Sequence, residues 1–252
     1  RIRQYHENFE DDWRDHLVNK SIKFLLVSLD QTIWAVSQNE LWRLNKDGWS
    51  SFPELTEMGI NSILQSQDGR IWIGTNTGVW IYNSNRWTRF HQLGQTKILS
   101  LFESSNSNIW IGADNGLWHL ESTLLREHTQ LHDSKILSIL ETNDNVIWVR
   151  TENSLWRLSP GGWGQAQPLV GREIYLGDFW SGRSSSLLEA KNGHLWVGTK
   201  GDGLWHFDKS KSVWSFPQVL ENTSISIIHE GKENTIWVGT IEKGLWLFNS
   251  QT

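Results

Sequence analysis

The sequence predicts an all-β protein, a six-bladed β-propeller with four antiparallel strands in each blade. The first observation is a tryptophan-containing segment that occurs six times. Its leading tryptophans are Trp34, Trp72, Trp110, Trp148, Trp196 and Trp237. Their spacings are 38, 38, 38, 48 and 41 residues, and a period of about 40 to 45 residues is typical of propeller blades. The second observation is that each of the first five repeats contains four short strand-like segments, which together would form one antiparallel sheet. One such sheet cannot bury both faces alone, so the copies must stack.

The second repeat shows why each strand is expected. Residues 62–64, 71–75, 79–82 and 86–90 are rich in β-branched and aromatic side chains, which favour strands. Turn residues separate these runs at 67–70 and 76–78. The other first-strand serines that we align with Ser62 are Ser100, Ser138, Ser186 and Ser226. We place the blades at about 22–55, 60–93, 98–131, 136–169, 184–220 and 224–248, within a single domain spanning residues 1–252.

The sixth repeat ends at Phe248 with only three strands. Residues 11–17, around Trp13, resemble the fourth-strand pattern around Trp49. We therefore expect this N-terminal strand to complete the last blade. Such closure of the ring would remove an exposed sheet edge, which would otherwise promote aggregation.

A long insertion at residues 170–183 separates the fourth and fifth blades and accounts for the spacing of 48. It contains Arg172, Tyr175 and Trp180, and Trp180 is the one tryptophan outside the repeat positions. Loops on a rigid scaffold often carry function, which makes the insertion a candidate binding segment. The alternative is an apolar plug at one end of the ring.

Strand alternation places this insertion on the same face as the turns between second and third strands, which we call the top face. The residue three positions before each first-strand serine also lies at the top. It is basic in three consecutive blades, as Lys97, Lys135 and Arg183, and is Thr223 in the sixth. These three basic side chains together suit a carboxylate, sulfate or phosphate on a ligand. The alternative is a set of ordinary solvated loop ends.

The repeat resembles the two-component regulator propeller repeat. Its Trp-Ile/Val-Gly-Thr element is complete at residues 72–75, 196–199 and 237–240. The resemblance implies the sensory, often periplasmic, part of a bacterial signalling protein that binds ligands such as oligosaccharides. No kinase, transmembrane or dimerisation segment is recognisable. A chain that starts at Arg1 without a signal peptide is expected to be an excised domain or mature fragment.

Two blades depart from the pattern, because Val36 and Arg150 occupy the place of the glycine in the repeated element. An arginine in a strand buried on both faces needs a partner or a wet channel. Arg150 is therefore a candidate functional residue. The alternative is a structural arginine paired with Glu152 or Asp144.

Several function classes are disfavoured. The net charge of −5 argues against duplex nucleic acid, and the absence of cysteine excludes thiolate sites. No apolar run is long enough for a membrane span. The histidines lack metal-ligand spacing, and His119 and His206 are expected to face solvent. The residues of a sialidase-like site are missing, so we expect no enzyme, metal or cofactor.

The sequence thus favours a non-catalytic ligand-binding or sensing domain, with its site on the top face near blades 4 and 5. The partner would be a small molecule or oligosaccharide, with an anionic group favoured. The alternatives are a protein-interaction scaffold and a tryptophan-rich lectin. The candidate ligand-binding residues are Lys97, Lys135, Arg150, Arg172, Tyr175, Trp180 and Arg183. The leading tryptophans Trp72, Trp110 and Trp237 are expected to be buried between blades.

Overall fold

The structure is a computed structural model. It describes residues 2–4, 14–17, 20–37, 40–46, 48–152, 154–159, 161–165, 187–199, 201–231 and 235–249. The chain divides into two compact units, Arg1–Ile98 and Leu99–Thr252. The described residues form β-strands and four short 3-10 helices. These helices are Pro53–Leu55, His91–Leu93, Thr129–Leu131 and Gln218–Leu220.

The first unit contains one small sheet and two four-stranded antiparallel meanders. The small sheet pairs β1 Ile2–Gln4 with β2 Arg14–His16. Blade 1 consists of β3 Ile22–Val27, β4 Ile33–Ser37, β5 Leu41–Asn45 and β6 Gly48–Ser51. Blade 2 consists of β7 Ile60–Gln65, β8 Ile71–Thr75, β9 Gly78–Asn83 and β10 Arg86–Phe90.

The second unit contains three four-stranded meanders and one sheet of three strands. Blade 3 consists of β11 Ile98–Glu103, β12 Ile109–Ala113, β13 Gly116–Glu121 and β14 Leu124–Glu127. Blade 4 consists of β15 Ile136–Glu141, β16 Ile147–Thr151, β17 Leu155–Ser159 and β18 Gly162–Gln165. Blade 5 consists of β19 Leu187–Glu189, β20 Leu195–Gly198, β21 Leu204–Asp208 and β22 Val213–Ser215. Blade 6 consists of β23 Ile225–Glu230, β24 Thr235–Thr240 and β25 Leu245–Asn249.

The core of each unit lies between neighbouring blades. In β8 every residue is buried. Its Ile71 and Ile73 pack against Trp34 of blade 1, and its Trp72 packs on Phe90 of its own blade. Between blades 1 and 2, Trp34 stacks on Phe52 and packs edge-on against Trp87. This burial on both faces explains why second strands read as continuous apolar runs.

Polar links at the ends of the first strands also join neighbouring blades. In each link, a side chain from one blade accepts a hydrogen bond from a backbone N–H in the turn of the preceding blade. The donor and acceptor residues are Leu29 and Gln65, Ser105 and Glu141, Asn143 and Glu189, and Lys191 and Glu230. The link at Glu189 is extended by Lys209, whose Nζ contacts both Glu189 and Asp144. These hydrogen bonds thus hold the end of each of these first strands against the turn of the preceding blade.

The all-β class and the antiparallel meanders are confirmed, and a strand does form at Arg14–His16. Its pairing partner is Ile2–Gln4, which the sequence analysis did not anticipate. Residues 11–13 of the predicted strand lie outside the described part of the chain. Blade 6 has three strands in the described residues, so closure by the N-terminal strand stays a prediction.

The alignment of the sixth repeat was wrong by one residue. Ile227, not Ser226, pairs with Gly239 in the way that Ser62 pairs with Gly74. The register shifts between Ile225 and Ile227, so that Ser226 has no cross-strand partner. The residue at the top end of this strand is therefore Ser224 rather than Thr223.

The expected burial of the leading tryptophans holds for Trp72 and Trp110, which are 0% and 5% exposed. The expectation is wrong for Trp237, which is 39% exposed. Within each unit, the leading tryptophans Trp34, Trp110, Trp148 and Trp196 pack against the blade that follows. Among the described residues of the second unit no blade follows blade 6, which leaves the face around Trp237 uncovered within that unit.

Candidate functional site

The top face is built from the turns after the second strands and the links that enter each first strand. In blade 2 the N–H of Asn76 donates to the carbonyls of Met58 and Gly59, at 3.0 and 3.1 Å. In the second unit the N–H of Asp133 donates to the carbonyl of Asn115, at 3.0 Å. These bonds confirm that the described turns and links share one face, as strand alternation predicts.

Arg150 lies in β16, close to this face, where most blades carry glycine. The glycine is needed because the next blade comes very close. A Cβ on Gly112 or Gly198 would lie 2.5 or 2.6 Å from the nearest isoleucine carbon of the following blade. Blade 4 places a full arginine side chain in this position. In sequence, the residue of blade 5 equivalent to those isoleucines is Ser184, which lies outside the described residues.

The guanidinium of Arg150 is buried, since the residue is only 2% exposed. Its Nε and Nη2 atoms have no hydrogen-bond partner among the described residues. Burial in this environment lowers the pKa of Arg150 to about 10, because desolvation disfavours the charged form. The side chain therefore carries a charge that the described part of the protein does not compensate.

Both acidic residues proposed as structural partners of Arg150 are bound to lysines. Glu152 forms an ion pair with Lys135, and Asp144 forms one with Lys209 at 2.8 Å. No hydrogen bond from Arg150 to either acid is found. Among the described residues, neither acid is therefore the structural partner considered for Arg150.

The remaining predicted site residues fall into three groups. Lys135 is half-buried, and its charge is largely neutralised by Glu152. Lys97 is exposed, in the first unit. The others lie outside the described residues, and these are Arg172, Tyr175, Trp180 and Arg183. Among the described members of the predicted set, Arg150 alone is buried with guanidinium nitrogens that lack a described partner.

The prediction that His119 and His206 face solvent is wrong. His119 stacks on Trp110 with ring centroids 5.0 Å apart, and His206 packs on Trp196 at 4.4 Å. Both positions pair across the sheet with the leading tryptophan of their blade, and that register could have revealed the contact. Each histidine also meets a second one, His128 or His194. The described residues contain no group of three or more potential metal ligands.

Comparison with known proteins gives one family match and several solved structures of the same fold. The sequence matches the two component regulator propeller family at residues 54–77 and 178–201. No curated protein matches the sequence. No helix among the described residues has the length and apolar character needed to cross a membrane.

Two groups of solved structures share the fold. The extracellular domain of a one component system from B. thetaiotaomicron superposes with a TM-score of 0.75 and 23% identity. The match covers 92% of this chain and 32% of that chain, so this chain spans about a third of its length. A catalytically inactive virginiamycin B lyase from Staphylococcus aureus, solved with quinupristin, gives a TM-score of 0.67 and 15% identity, over 92% and 82% of the two chains. At such identities the similarity shows the fold alone.

Proposed function

We propose, from the premise that the chain is built of two component regulator propeller repeats, that it is a non-catalytic sensing domain that binds an anionic ligand. The observation that carries this proposal is the buried guanidinium of Arg150, whose Nε and Nη2 lack partners among the described residues. A charge in this position is costly unless an opposite charge meets it. A ligand carboxylate, sulfate or phosphate would satisfy the fork geometry of the guanidinium.

An extracytoplasmic location belongs to the same proposal. It is supported by the similarity to the extracellular domain of a signalling protein from B. thetaiotaomicron. A non-catalytic role is supported by the family match. Fold alone does not decide this point, because the same fold occurs in a lyase.

The ligand would bind at the top face near blades 4 and 5, where the strand that carries Arg150 ends. We include Lys97, Lys135, Arg172, Tyr175, Trp180 and Arg183 in the proposed site, as the sequence suggests. Lys135 would contribute after exchanging Glu152 for the ligand. An oligosaccharide bearing acid groups fits this combination of arginine, lysine and aromatic residues.

The lectin alternative, with leading tryptophans as sugar platforms, has little support from the described structure. Trp34, Trp72, Trp110, Trp148 and Trp196 are all at most 5% exposed. The protein-interaction alternative has one specific observation in its favour. The face of blade 6 exposes Ile227, Trp237 and Leu247, and contiguous apolar surface of this kind often contacts another protein.

Closure of the ring by residues 11–17 is also a proposal. Under closure, the exposed face of blade 6 would not serve to contact another protein. It is supported by the unpaired edge of β25 in a three-stranded sheet. A strand has two edges, so the pairing of Arg14–His16 with Ile2–Gln4 leaves one edge free for a further strand.

If the ring is closed in this way, removing residues 1–19 should lower the melting temperature by several degrees and promote aggregation. An unchanged melting temperature would contradict closure.

The binding proposal is tested with oligosaccharides of defined charge. Oligogalacturonides, sulfated chondroitin fragments and uncharged maltooligosaccharides are screened for their effect on the melting temperature. We expect acidic oligosaccharides to raise it and the neutral ones to leave it unchanged. A ligand at a hundredfold excess over its Kd stabilises by about 2.7 kcal/mol, or a shift of roughly 5–10 °C.

The matched variants are Arg150→Gly, which installs the residue found in most other blades, and Arg157→Gly. Arg157 is an exposed arginine of the adjacent strand β17. Arg150→Gly should abolish the response and Arg157→Gly should keep it. Equal responses to acidic and neutral sugars, or an unchanged response in Arg150→Gly, would contradict the proposal. A response to a protein partner alone would favour the scaffold alternative.

A further inference from the structure

The junction of blades 3 and 4 contains a stack of aromatic rings that includes two histidines. Trp110 lies against His119 and His128, with centroid distances of 5.0 and 4.9 Å and interplanar angles of 27° and 8°. Trp163 of blade 4 meets His128 edge-on at 5.1 Å. Three residues of blade 3 and one of blade 4 thus form a single cluster, which we call the histidine stack.

The equivalent junction of blades 1 and 2 shows that packing does not require histidine. There, Phe52 occupies the place of His128 and stacks on Trp34 with centroids 5.5 Å apart. Trp87 occupies the place of Trp163, and its Nε1 is buried without a hydrogen-bond partner among the described residues. The fold therefore accepts an apolar ring here, and what the histidine stack adds is hydrogen bonding and the capacity to titrate.

The hydrogen bonds of the histidine stack assign every ring proton. Trp163 Nε1 can only donate, and it donates to His128 Nδ1 at 3.0 Å. The neutral His128 ring therefore carries its proton on Nε2. That atom lies 2.9 Å from His119 Nδ1 and donates to it. His119 must then carry its own proton on Nε2.

Neither histidine can accept a second proton without losing a hydrogen bond. The unprotonated atom of His128 is the acceptor for Trp163, and the unprotonated atom of His119 is the acceptor for His128. A proton on either ring would also place a positive charge in a half-buried stack. The junction as observed therefore requires both imidazoles to be neutral.

The electrostatic surroundings act in the same direction. Burial, with a smaller contribution from His119, lowers the pKa of His128 to about 4. Burial also lowers the pKa of His119, where Glu121 opposes the shift and Arg126 adds to it. Blade 4 contributes Trp163 and Leu158 to the apolar cluster around Trp110, and no charged group of blade 4 is among the causes of either shift. The two charged groups of blade 3 therefore offset each other in part.

The second histidine pair, in blade 5, is built differently. His206 Nε2 lies 2.7 Å from His194 Nδ1, and His206 Nδ1 lies 3.2 Å from the hydroxyl of Ser215. His194 Nε2 lies 3.7 Å from a carboxylate oxygen of Asp208. A serine hydroxyl can donate or accept, and a carboxylate stabilises an added positive charge. The hydrogen bonds of this pair therefore do not fix the ring tautomers as those of the histidine stack do.

We propose that the histidine stack is an acid-sensitive contact that holds blades 3 and 4 together at neutral pH and releases them as the pH falls. The unfolded chain takes up histidine protons near pH 6.5, whereas the folded stack resists them. Between the pKa of an unfolded histidine, near 6.5, and the pKa of His128 in the folded protein, about 4, the unfolded state binds more protons than the folded state. The free energy of unfolding therefore decreases as the pH is lowered. The stabilisation is fully present above about pH 6.5 and declines toward pH 4.

The test is His128→Phe, which installs the residue that blades 1 and 2 carry in this place, Phe52 and Phe90. The melting temperature is measured at pH 7.5 and pH 5.0 in the unchanged chain, in His128→Phe and in His91→Phe. His91 is an exposed histidine in a 3-10 helix and serves as the control. The acid-induced loss should be about 5 °C larger in the unchanged chain than in His128→Phe, and His91→Phe should behave like the unchanged chain.

A loss of the same size in His128→Phe and in the unchanged chain would overturn the proposal. A second measurement on the unchanged chain remains informative even if the variant folds poorly. Imidazole nitrogen shifts in NMR should show both His119 and His128 as the neutral tautomer protonated on Nε2, with His128 neutral at pH 5.5. Protonation of His128 above pH 6 would equally overturn the proposal.

Discussion

Trp72→Ala is expected to reduce the free energy of unfolding by about 3–5 kcal/mol, the usual cost of truncating a large buried aromatic side chain. Trp72 is fully buried, packs on Phe90 with centroids 6.1 Å apart and donates from Nε1 to the hydroxyl of Ser66 at 3.0 Å. The truncation removes this packing and leaves a cavity. Urea or guanidinium unfolding of both chains measures the difference.

Trp237→Ala is the matched control, because it truncates the equivalent residue on the uncovered face of blade 6. Because 39% of the surface of Trp237 is exposed, its replacement by alanine should lower the free energy of unfolding by only about 1–2 kcal/mol. A loss below about 1 kcal/mol for Trp72→Ala would contradict the packing described. Equal losses at both positions would mean that the face around Trp237 is covered in solution, which would favour ring closure.

Arg150→Met is expected to stabilise the ligand-free protein by about 1–4 kcal/mol, the range found when buried charged groups give way to apolar side chains of similar volume. The reason is that the guanidinium is desolvated and its Nε and Nη2 are unpaired among the described residues. Methionine fills most of the same volume with a flexible apolar chain. The melting temperature in the absence of added anions measures the effect.

Arg157→Met controls for a general effect of removing a positive charge from blade 4. Because Arg157 is exposed, its replacement should change the stability by no more than about 0.5 kcal/mol. A strong destabilisation by Arg150→Met would show that Arg150 has a structural ion-pair partner within the protein. Binding residues that cost stability in the free protein are a common consequence of function.

The strands could be predicted because each repeat combines β-branched and aromatic runs with turn residues. In blade 2, for example, Ser66 and Asp68 form the hydrogen-bonded turn expected between the first two strands. The alignment of blade 6 failed because Ser226 mimics the serine of the other first strands. The register shift itself is shared with blades 1, 2 and 4, so only the cross-strand pairing shows that Ile227 takes the place of that serine.

The candidate site was predictable only in part. An arginine in a glycine position of a buried strand made Arg150 a candidate. The sequence could not show that its Nε and Nη2 lack described partners, or that Lys135 and Lys209 pair with Glu152 and Asp144. The histidine stack could not be predicted, because it joins His119 and His128 of one blade to Trp163 of the next. A single sequence does not show which side chains meet across such a junction.

The most direct test of the central claim, that Arg150 is a buried charge held for an anionic ligand, compares two quantities in one experiment. The melting temperature of the unchanged chain and of Arg150→Met is measured with and without the acidic oligosaccharide that gives the largest shift. The account predicts that Arg150→Met raises the melting temperature of the free protein and abolishes the increase that the oligosaccharide causes in the unchanged chain. An Arg150→Met protein that is less stable when free, yet responds to the oligosaccharide as the unchanged chain does, would contradict it.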